Sequence, residues 1–236
     1  MRTLLLAAVL ALAFAASATA QTTQTFTTSE NEFDPGVRNQ GWWSVTLSNG
    51  DSNDNYFVGV SGPDSLRNFF TFDLSSACPA SSVTLQLTRF DQTGTLTYAL
   101  FDVSTPAATL NNNSGVSQTI FDDLGSGTSF GSFPVADGAE TDILSFPLNT
   151  AGVAAFNAAR GGFFSIGGSI TTPVTGLGYI YGFSGGPVGT QQLTATCLPA
   201  TKEECKNGGW RSFGVFKNQG DCVSFVATGG KNPPAG

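Results

Sequence analysis

Short runs of alternating apolar and polar residues fill the central part of this chain. In Val83–Thr88, the apolar residues Val, Leu and Leu alternate with Thr, Gln and Thr. A strand with this period of two places its apolar side chains on one face. Runs of this kind, separated by Gly, Asn, Asp, Ser and Pro, are typical of antiparallel sheets. The pattern therefore predicts an all-β fold, an antiparallel β-sandwich of the jelly-roll type.

The same pattern predicts eight further strands, and helical patterning is rare. The further strand candidates are Trp43–Leu47, Tyr56–Val60, Asn68–Leu74, Thr95–Val103, Ile143–Leu148, Gly162–Ile170, Gly178–Phe183 and Gln191–Leu198. One short helix is predicted at Thr150–Arg160, with Thr150 as its N-cap and Gly161 as its stop. Val116–Leu124 is a further helix candidate. Asn111–Gly115 and the Gly-rich stretches Gly125–Ser132 and Gly182–Gly189 are predicted to be loops.

The first 20 residues have the pattern of a secretory signal peptide. Arg2 precedes a short apolar stretch that ends in Ala18-Thr19-Ala20, which is typical of a cleavage site. We therefore expect an exported protein that begins at Gln21. No later apolar run approaches the roughly 20 residues of a membrane helix, so no membrane span is expected.

Charge divides the chain near residue 200. The net charge is −7 overall, and residues 21–200 contain 14 acidic residues but four Arg and no Lys. Residues 201–236 contain four Lys and one Arg against three acidic residues. The acidic composition argues against a nucleic-acid partner. We predict a β-sandwich domain at 21–200, a module at 201–228 and a disordered end at 229–236.

Four cysteines form an even set, which in an exported chain usually becomes two disulfides. Three pairings are possible, and we favour Cys78 with Cys197 and Cys205 with Cys222, because each pair then lies within one part of the chain. In the C-terminal module, Thr201–Glu204 has the form of a capping box and predicts one helical turn. Trp210–Phe216 and Cys222–Ala227 are predicted to form a small β-hairpin closed by the second disulfide.

Two sets of residues are candidates for ligand binding. The first consists of Asp51, Asn53, Asp54 and Asn55, whose oxygen atoms suit a structural Ca²⁺, although Asp and Asn are also common in turns. The second consists of Trp42, Tyr56, Tyr179 and Tyr181, which would form a platform for sugar rings. Alternation places Trp42 and Trp43 on opposite faces of a strand, and packing in the core is the favoured interpretation of these aromatic residues.

Catalytic patterns are missing from the sequence. The chain has no His, which excludes Ser-His-Asp and Cys-His catalysis and histidine zinc sites. It has no P-loop, dinucleotide fingerprint or nucleophile elbow. Paired carboxylates for glycan hydrolysis are available among the acidic residues, but no pair stands out. We therefore predict no catalytic residues, no cofactor beyond the Ca²⁺ candidate, and a protein that is not an enzyme.

Four sequence segments carry a resemblance to a known family. They are NQGWWS from Asn39, NDNYFVG from Asn53, RNFFTFDLSS with the following VTLQL, and LNTAGVAAFNAARGGFFSIGG from Leu148. Together they resemble the exported β-sandwich domain of bacterial PEP-CTERM-type surface proteins, but the Pro-Glu-Pro signal and membrane helix of such proteins are absent here. The segment that begins at Cys205 is similar to a short C-terminal module of diverse secreted bacterial proteins.

These observations lead to two functional hypotheses. The first is a secreted, non-catalytic β-sandwich at the cell surface or in the extracellular matrix, with a structural or glycan-binding role and with glycans or envelope components as partners. The resemblance implies the location, and the absence of catalytic patterns favours binding. The alternative is a carboxylate-dependent glycan hydrolase.

Overall fold

The computed structural model describes residues 21–28, 39–50, 55–112, 114–183 and 191–236. The chain divides into two compact units. Thr22–Leu198 form the first, which we call the body, and Pro199–Gly236 belong to the second, which we call the tail unit. Within the described residues, no helix has the length and apolar character that a membrane crossing requires. The predicted signal peptide at 1–20 lies outside these residues.

The described residues of the body contain twelve strands. They are β1 Thr23–Thr27, β2 Gln40–Ser44, β3 Asn55–Ser61, β4 Asp64–Asp73, β5 Ala80–Thr88, β6 Asp91–Thr93, β7 Leu96–Asp102, β8 Ser129–Val135, β9 Ile143–Pro147, β10 Phe163–Ile170, β11 Gly178–Phe183 and β12 Gln191–Cys197. All nine predicted strands are present, eight of them with shifted ends and β11 with the predicted bounds. The largest shift at one end is in β4, which begins four residues earlier than predicted, and β2 is displaced by three residues at both ends.

The strands form two antiparallel sheets. The smaller sheet has the order β1-β12-β5-β9. The larger sheet has the order β6-β11-β3-β4-β10-β7-β8, and β2 pairs with β4 beside this path. Every strand pair in both sheets is antiparallel.

One apolar core contains residues from both sheets. Leu85 and Leu193 of the smaller sheet belong to the same buried cluster as Phe70 and Ile166 of the larger sheet. All four are 0% exposed. Full burial of a side chain of this size contributes about 1.5–3 kcal/mol. Two antiparallel sheets around a shared core confirm the predicted β-sandwich.

The period-two pattern has the predicted structural meaning. In β5, Val83, Leu85 and Leu87 are buried, and Thr84 and Gln86 on the opposite face are partly exposed. Three strands were missed by this pattern, namely β1, β6 and β8. The prediction of a loop at Gly125–Ser132 is wrong from Ser129 onward, because β8 pairs along β7 and backbone hydrogen bonding outweighs the low strand propensity of Gly131.

Three helices lie in the described part of the body, namely α1 Ala107–Asn112, α2 Gln118–Asp123 and α3 Thr150–Ala159. The predicted α3 is confirmed, but its N-cap is Asn149, whose side chain accepts a hydrogen bond from the Gly152 amide. The Val116–Leu124 candidate corresponds to α2, which Ser117 caps. The predicted exposed loop at Asn111–Gly115 is wrong at its start, because Asn111 lies within α1 and is 2% exposed.

The short helices α1 and α2 cover part of the larger sheet. Leu110 of α1 and Ile120 of α2 form a second buried cluster with Trp43 and Phe69. The Trp43 indole donates a hydrogen bond of 3.0 Å to the Leu110 carbonyl. Because this cluster shields the outward face of β2 and β4, residues 68–72 of β4 are buried on both sides of the sheet.

The structure contains both favoured disulfides, Cys78–Cys197 in the body and Cys205–Cys222 in the tail unit. The first spans 119 residues of sequence and the second spans 17. No cysteine is free. Disulfides of this kind are typical of proteins from an oxidising compartment.

The tail unit is helical, so the predicted C-terminal hairpin is wrong. Its elements are α4 Lys202–Cys205, a 3₁₀ helix at Gly209–Phe213 and α5 Gln219–Ala227. The predicted capping box is present, with Thr201 and Glu204 bonded reciprocally. Asn218 caps α5 by accepting from the Asp221 amide. This Asn-x-x-Asp cap outweighs the β propensity of Val223 and Val226.

The last eight residues are folded against α5, which corrects the predicted disordered end at 229–236. The Gly230 amide donates to the Phe225 carbonyl at 2.9 Å. The Asn232 amide donates to Thr228 Oγ1, and the Ala235 amide donates to Asp221 Oδ2, both at 3.0 Å. The end of the chain thus returns to the first turn of α5.

Candidate functional site

Five aromatic rings lie side by side on the outward face of the larger sheet. They are Phe57 of β3, Phe90 just before β6, and Tyr179, Tyr181 and Phe183 of β11. Val58 and Ile180, which alternate with them, are buried in the core. Because successive strand residues point to opposite faces, the rings of β3 and β11 point away from the core. We call these five residues the aromatic strip.

The rings of the aromatic strip form one continuous series of contacts. The centroid distances are 4.7 Å for Phe57–Tyr179, 5.9 Å for Phe57–Tyr181, 5.8 Å for Phe90–Tyr181 and 4.9 Å for Phe90–Phe183. Each ring is half-buried. Pairs of this kind are worth about 0.5–1.5 kcal/mol beyond their buried area. The contacts therefore hold the strip rigid while leaving part of every ring in solvent.

A glycine makes the closest contact in the strip possible. Gly59 lies opposite Tyr179 in the β3–β11 register, and Tyr181 lies opposite Phe57. Because Gly59 has no side chain, the Phe57 ring reaches Tyr179 diagonally. Gly59 has a φ of 122°, and a Cβ at this position would collide with the Gly178 carbonyl. Only glycine suits both the backbone and the space here.

Polar groups border the strip on the β6 side. The Tyr179 hydroxyl donates a hydrogen bond of 2.8 Å to Asp91 Oδ2. This hydrogen bond raises the pKa of Tyr179. On the β3 side, the Trp42 indole donates to Asn55 Oδ1 at 3.0 Å. The strip thus combines apolar ring surface with hydroxyl, carboxylate and amide groups at its margins.

The four predicted platform residues fall into two groups. Tyr179 and Tyr181 lie together in the aromatic strip, two residues apart on β11. Tyr56 is 0% exposed, and its hydroxyl donates to the Thr88 carbonyl at 2.8 Å. Trp42 is 9% exposed and is bonded to Asn55. We correct the platform assignment for Tyr56 and Trp42, because buried rings cannot stack on a ligand.

Phe57, Phe90 and Phe183 were not among the predicted binding residues. Alternation along Asn55–Ser61 and Gly178–Phe183 places Phe57 and Phe183 on the face opposite the buried residues, so the sequence contained a signal for both. It contained no signal for Phe90, which joins the strip because β6 pairs with β11.

The Ca²⁺ candidates cannot be assembled from the described residues. Asp51, Asn53 and Asp54 lie outside them, and the Ca²⁺ site stays a prediction. Asn55 begins β3, where its Oδ1 atom accepts from the Trp42 indole. In the described ranges, no three His, Cys, Asp or Glu residues come together as a metal site.

Two carboxylates of the body form several polar contacts that hold its loops in place. Asp123 accepts hydrogen bonds from the backbone and hydroxyl groups of Ser104 and Thr105, at 2.6–3.2 Å. Burial alone would raise the pKa of Asp123, but these hydrogen bonds outweigh it and lower the pKa. Asp142 pairs with the buried guanidinium of Arg89. Both carboxylates contact protein groups that fix loop positions.

No family model matches this chain, and no curated protein matches it either. The resemblance to the β-sandwich domain of PEP-CTERM-type surface proteins therefore stays a prediction.

Proposed function

We propose that the protein is a secreted, non-catalytic binding protein whose aromatic strip holds neutral glycan chains. The single observation that carries this proposal is the row of five half-buried rings on one outward face. Contiguous apolar surface with a polar rim marks interaction sites on soluble proteins. The strip has that composition, because Asp91 and Asn55 border rings that are otherwise apolar.

The chemistry of the strip suits sugars. One face of a pyranose ring consists of C–H groups and packs on an aromatic ring, while its hydroxyl groups need hydrogen-bond partners at the edge. The Tyr179 hydroxyl and the Asp91 carboxylate are placed for the second role. Tyr combines an apolar ring with a polar tip and suits such mixed surfaces.

The charge near the strip favours a neutral chain over an anionic one. β3, β6 and β11 contain no Lys or Arg, and Asp91 places an acidic side chain beside the strip. A sulfated or uronic-acid polymer would meet a carboxylate and no cation on these strands. We therefore expect unsubstituted hexose polymers to bind more tightly than acidic ones.

The export pattern at residues 1–20 and the two disulfides support a location outside the cytoplasm. Among the described residues, one carboxylate, that of Asp91, is hydrogen-bonded to the strip, whereas glycan hydrolysis uses a pair, which supports a binding role.

The test compares the wild-type protein with two single variants on a panel of neutral and acidic polysaccharides. We expect Tyr181→Ala to raise Kd for a neutral glycan about tenfold or more, which corresponds to about 1.4 kcal/mol. Phe163→Ala is the matched control, because Phe163 is an aromatic residue of β10, 43% exposed, and outside the strip. The control should keep the wild-type Kd.

Three results would overturn the proposal. The first is the absence of binding to every polysaccharide of the panel. The second is an equal loss of affinity in Tyr181→Ala and Phe163→Ala. The third is release of soluble sugar by the wild-type protein, abolished by a single Asp or Glu substitution, which would make the protein a hydrolase.

A further inference from the structure

The rings of the aromatic strip do not lie in one plane. The angle between ring planes is 34° for Phe57–Tyr179, 42° for Phe57–Tyr181, 39° for Tyr181–Phe183, 58° for Phe90–Phe183 and 89° for Phe90–Tyr181. In a flat platform, all ring planes would be parallel. The strip therefore presents several facets that face different directions, and the Phe90 ring is perpendicular to that of Tyr181.

Phe90 departs from the alternation of its neighbours. Gln92, two residues further along the chain, is 8% exposed and lies opposite the buried Ile180. Regular alternation would place Phe90 on that covered face as well. The chain instead bends at Phe90, whose ring contacts Tyr181 and Phe183 on the outward face. The Phe90 ring thus borders the strip beside β11, and we call it the side wall.

A buried arginine holds the bend that places the side wall. Arg89 is 3% exposed, and its guanidinium donates hydrogen bonds of 2.9 Å to the Ala136 carbonyl and to Gln92 Oε1. The Phe90 amide donates to the Tyr181 carbonyl at 2.8 Å. The backbone of Phe90 and the residues beside it are therefore fixed. A ligand meets a side wall that is already in place, which lowers the entropic cost of binding.

The strip is longer than one sugar ring and has two different ends. Tyr179 and Phe183 are four residues apart on β11, which corresponds to about 13 Å in an antiparallel strand. At one end, the Tyr179 hydroxyl is hydrogen-bonded to Asp91 Oδ2. At the other end, the rings of Phe183 and Phe90 lie 4.9 Å apart. This length and polarity suit a short stretch of a glycan chain.

The shape of a chain decides how many facets it contacts. A sugar packs on an aromatic ring through its C–H face, so the two planes must be close to parallel. The sugar faces of a flat, extended chain are parallel to one another, whereas contacting rings of the strip differ by at least 34°. A flat chain therefore matches one facet at a time. In a coiling chain, each sugar turns relative to the one before, and successive faces match facets of different direction.

We propose that the aromatic strip binds single, soluble glycan chains of the coiling type in preference to flat chains and the crystals that flat chains form. This inference rests on the proposed function and adds the shape of the ligand. The side wall is the feature that discriminates, because its plane is the most strongly tilted and it rises at the edge where a crystal surface would extend beyond the strip.

The test uses chains of one neutral sugar that differ only in linkage. Maltohexaose and laminarihexaose coil, whereas cellohexaose is flat, and all three consist of glucose. Isothermal titration calorimetry of the full-length mature protein measures the three Kd values. We expect at least one coiling hexamer to bind about tenfold or more tightly than cellohexaose. Microcrystalline cellulose should leave the protein in solution in a pull-down.

Two variants test the side wall and its contact. Phe90→Leu keeps an apolar side chain but removes the tilted ring, and Phe183→Leu removes the ring that it touches. We expect each variant to lose most of the preference for the coiling chain, while the Kd for cellohexaose changes little. Phe163→Leu is the matched control, because it makes the same substitution at an exposed phenylalanine outside the strip, and it should keep the wild-type preference. Unfolding midpoints in urea check that the variants are folded.

The outcomes separate this inference from the proposed function. Cellohexaose or microcrystalline cellulose bound as tightly as the coiling chains would overturn the inference and leave the proposed function standing. The same holds if both folded variants keep the wild-type preference, or if a neutral polysaccharide of the panel binds but none of the three glucose chains does. Absence of binding to every glycan would overturn both.

Discussion

The body and the tail unit of this protein are ordered by different means. In the body, a core from two sheets surrounds rings such as Tyr56 and Phe70, whose centroids lie 5.3 Å apart. In the tail unit, three rings of Phe213, Phe216 and Phe225 pack beside one disulfide. A chain of fewer than about 40 residues rarely buries enough surface to fold without a cross-link. The disulfide therefore has a different importance in each unit.

Both units nevertheless use the same local device. In the body, one carboxylate, Asp123, accepts from the amides and hydroxyls of Ser104 and Thr105. In the tail unit, Glu204 Oε2 accepts from the Thr201 amide at 2.7 Å and from its hydroxyl at 2.9 Å. Local contacts of this kind are alike in the two units, so the difference between them lies in the size of the core.

We expect the largest loss of stability in the double variant Cys78→Ser/Cys197→Ser, which lacks the body disulfide. A loop of 119 residues corresponds to about 5 kcal/mol in the chain-entropy model. We expect a lower urea midpoint but a cooperative transition, because the core remains. The unfolding transition of the body can be followed by the fluorescence of the buried Trp42 and Trp43. An unchanged midpoint, or a body without any cooperative transition, would contradict the comparison.

Removing the tail disulfide is expected to cost less free energy than removing the body disulfide. It should nevertheless unfold the whole tail unit, because the core of that unit is small. Removing its disulfide in Cys205→Ser/Cys222→Ser costs about 3 kcal/mol for a span of 17 residues. We expect trypsin to cleave this variant rapidly after Lys206, Arg211 and Lys217. The urea midpoint of the body should stay at the wild-type value. Resistance of the tail to trypsin would show that its three rings suffice for folding.

The smallest effect is expected for Asp123→Asn, which weakens one local device in the body. We expect the free energy of unfolding at pH 7 to fall by about 1–2 kcal/mol. The folded-state pKa of Asp123 is lowered, so its stabilisation is present above the unfolded pKa of about 3.9 and is lost as the pH falls through the folded pKa. Urea titrations at several pH values should therefore show the difference between wild type and variant shrinking in acid.

Asp122→Asn is the matched control for this prediction. Asp122 is the neighbouring carboxylate, and its side chain is 61% exposed at 3.9 Å from Arg67. Exposed ion pairs contribute about 0–1 kcal/mol. A loss of stability as large in Asp122→Asn as in Asp123→Asn would contradict the role of the Ser104 and Thr105 hydrogen bonds.

The two units also differ in how well the sequence predicted them. In the body, strands such as β12 alternate strictly, and a slip of one residue would expose a whole apolar face. In the tail unit, Val223 and Phe225 alternate with polar residues over a few positions only, and the pattern fits a strand or a helix. The Asn218 cap favours the helix. Its Asn-x-x-Asp pattern was visible in the sequence, but the prediction did not use it.

The candidate site shows the same limit. Tyr179 and Tyr181 were predicted to contact ligand, and both lie in the aromatic strip. Tyr56 and Trp42 were predicted with them but are buried, because alternation distinguishes two faces without saying which one is covered. Cross-strand contacts of the smaller sheet, such as the hydrogen bond between Ser82 and Thr196, were missed because they join residues more than a hundred positions apart.

The sequence alone determined the β-sandwich class, nine of its strands, helix α3 and the favoured disulfides. Strand period and helix pattern depend on neighbouring residues, and the disulfide pairing was favoured because each pair then lies within one part of the chain. Tertiary structure decided which rings are buried, which strands adjoin, and how the aromatic strip is assembled. Such features depend on strand order and register, which are fixed by long-range packing of the two sheets.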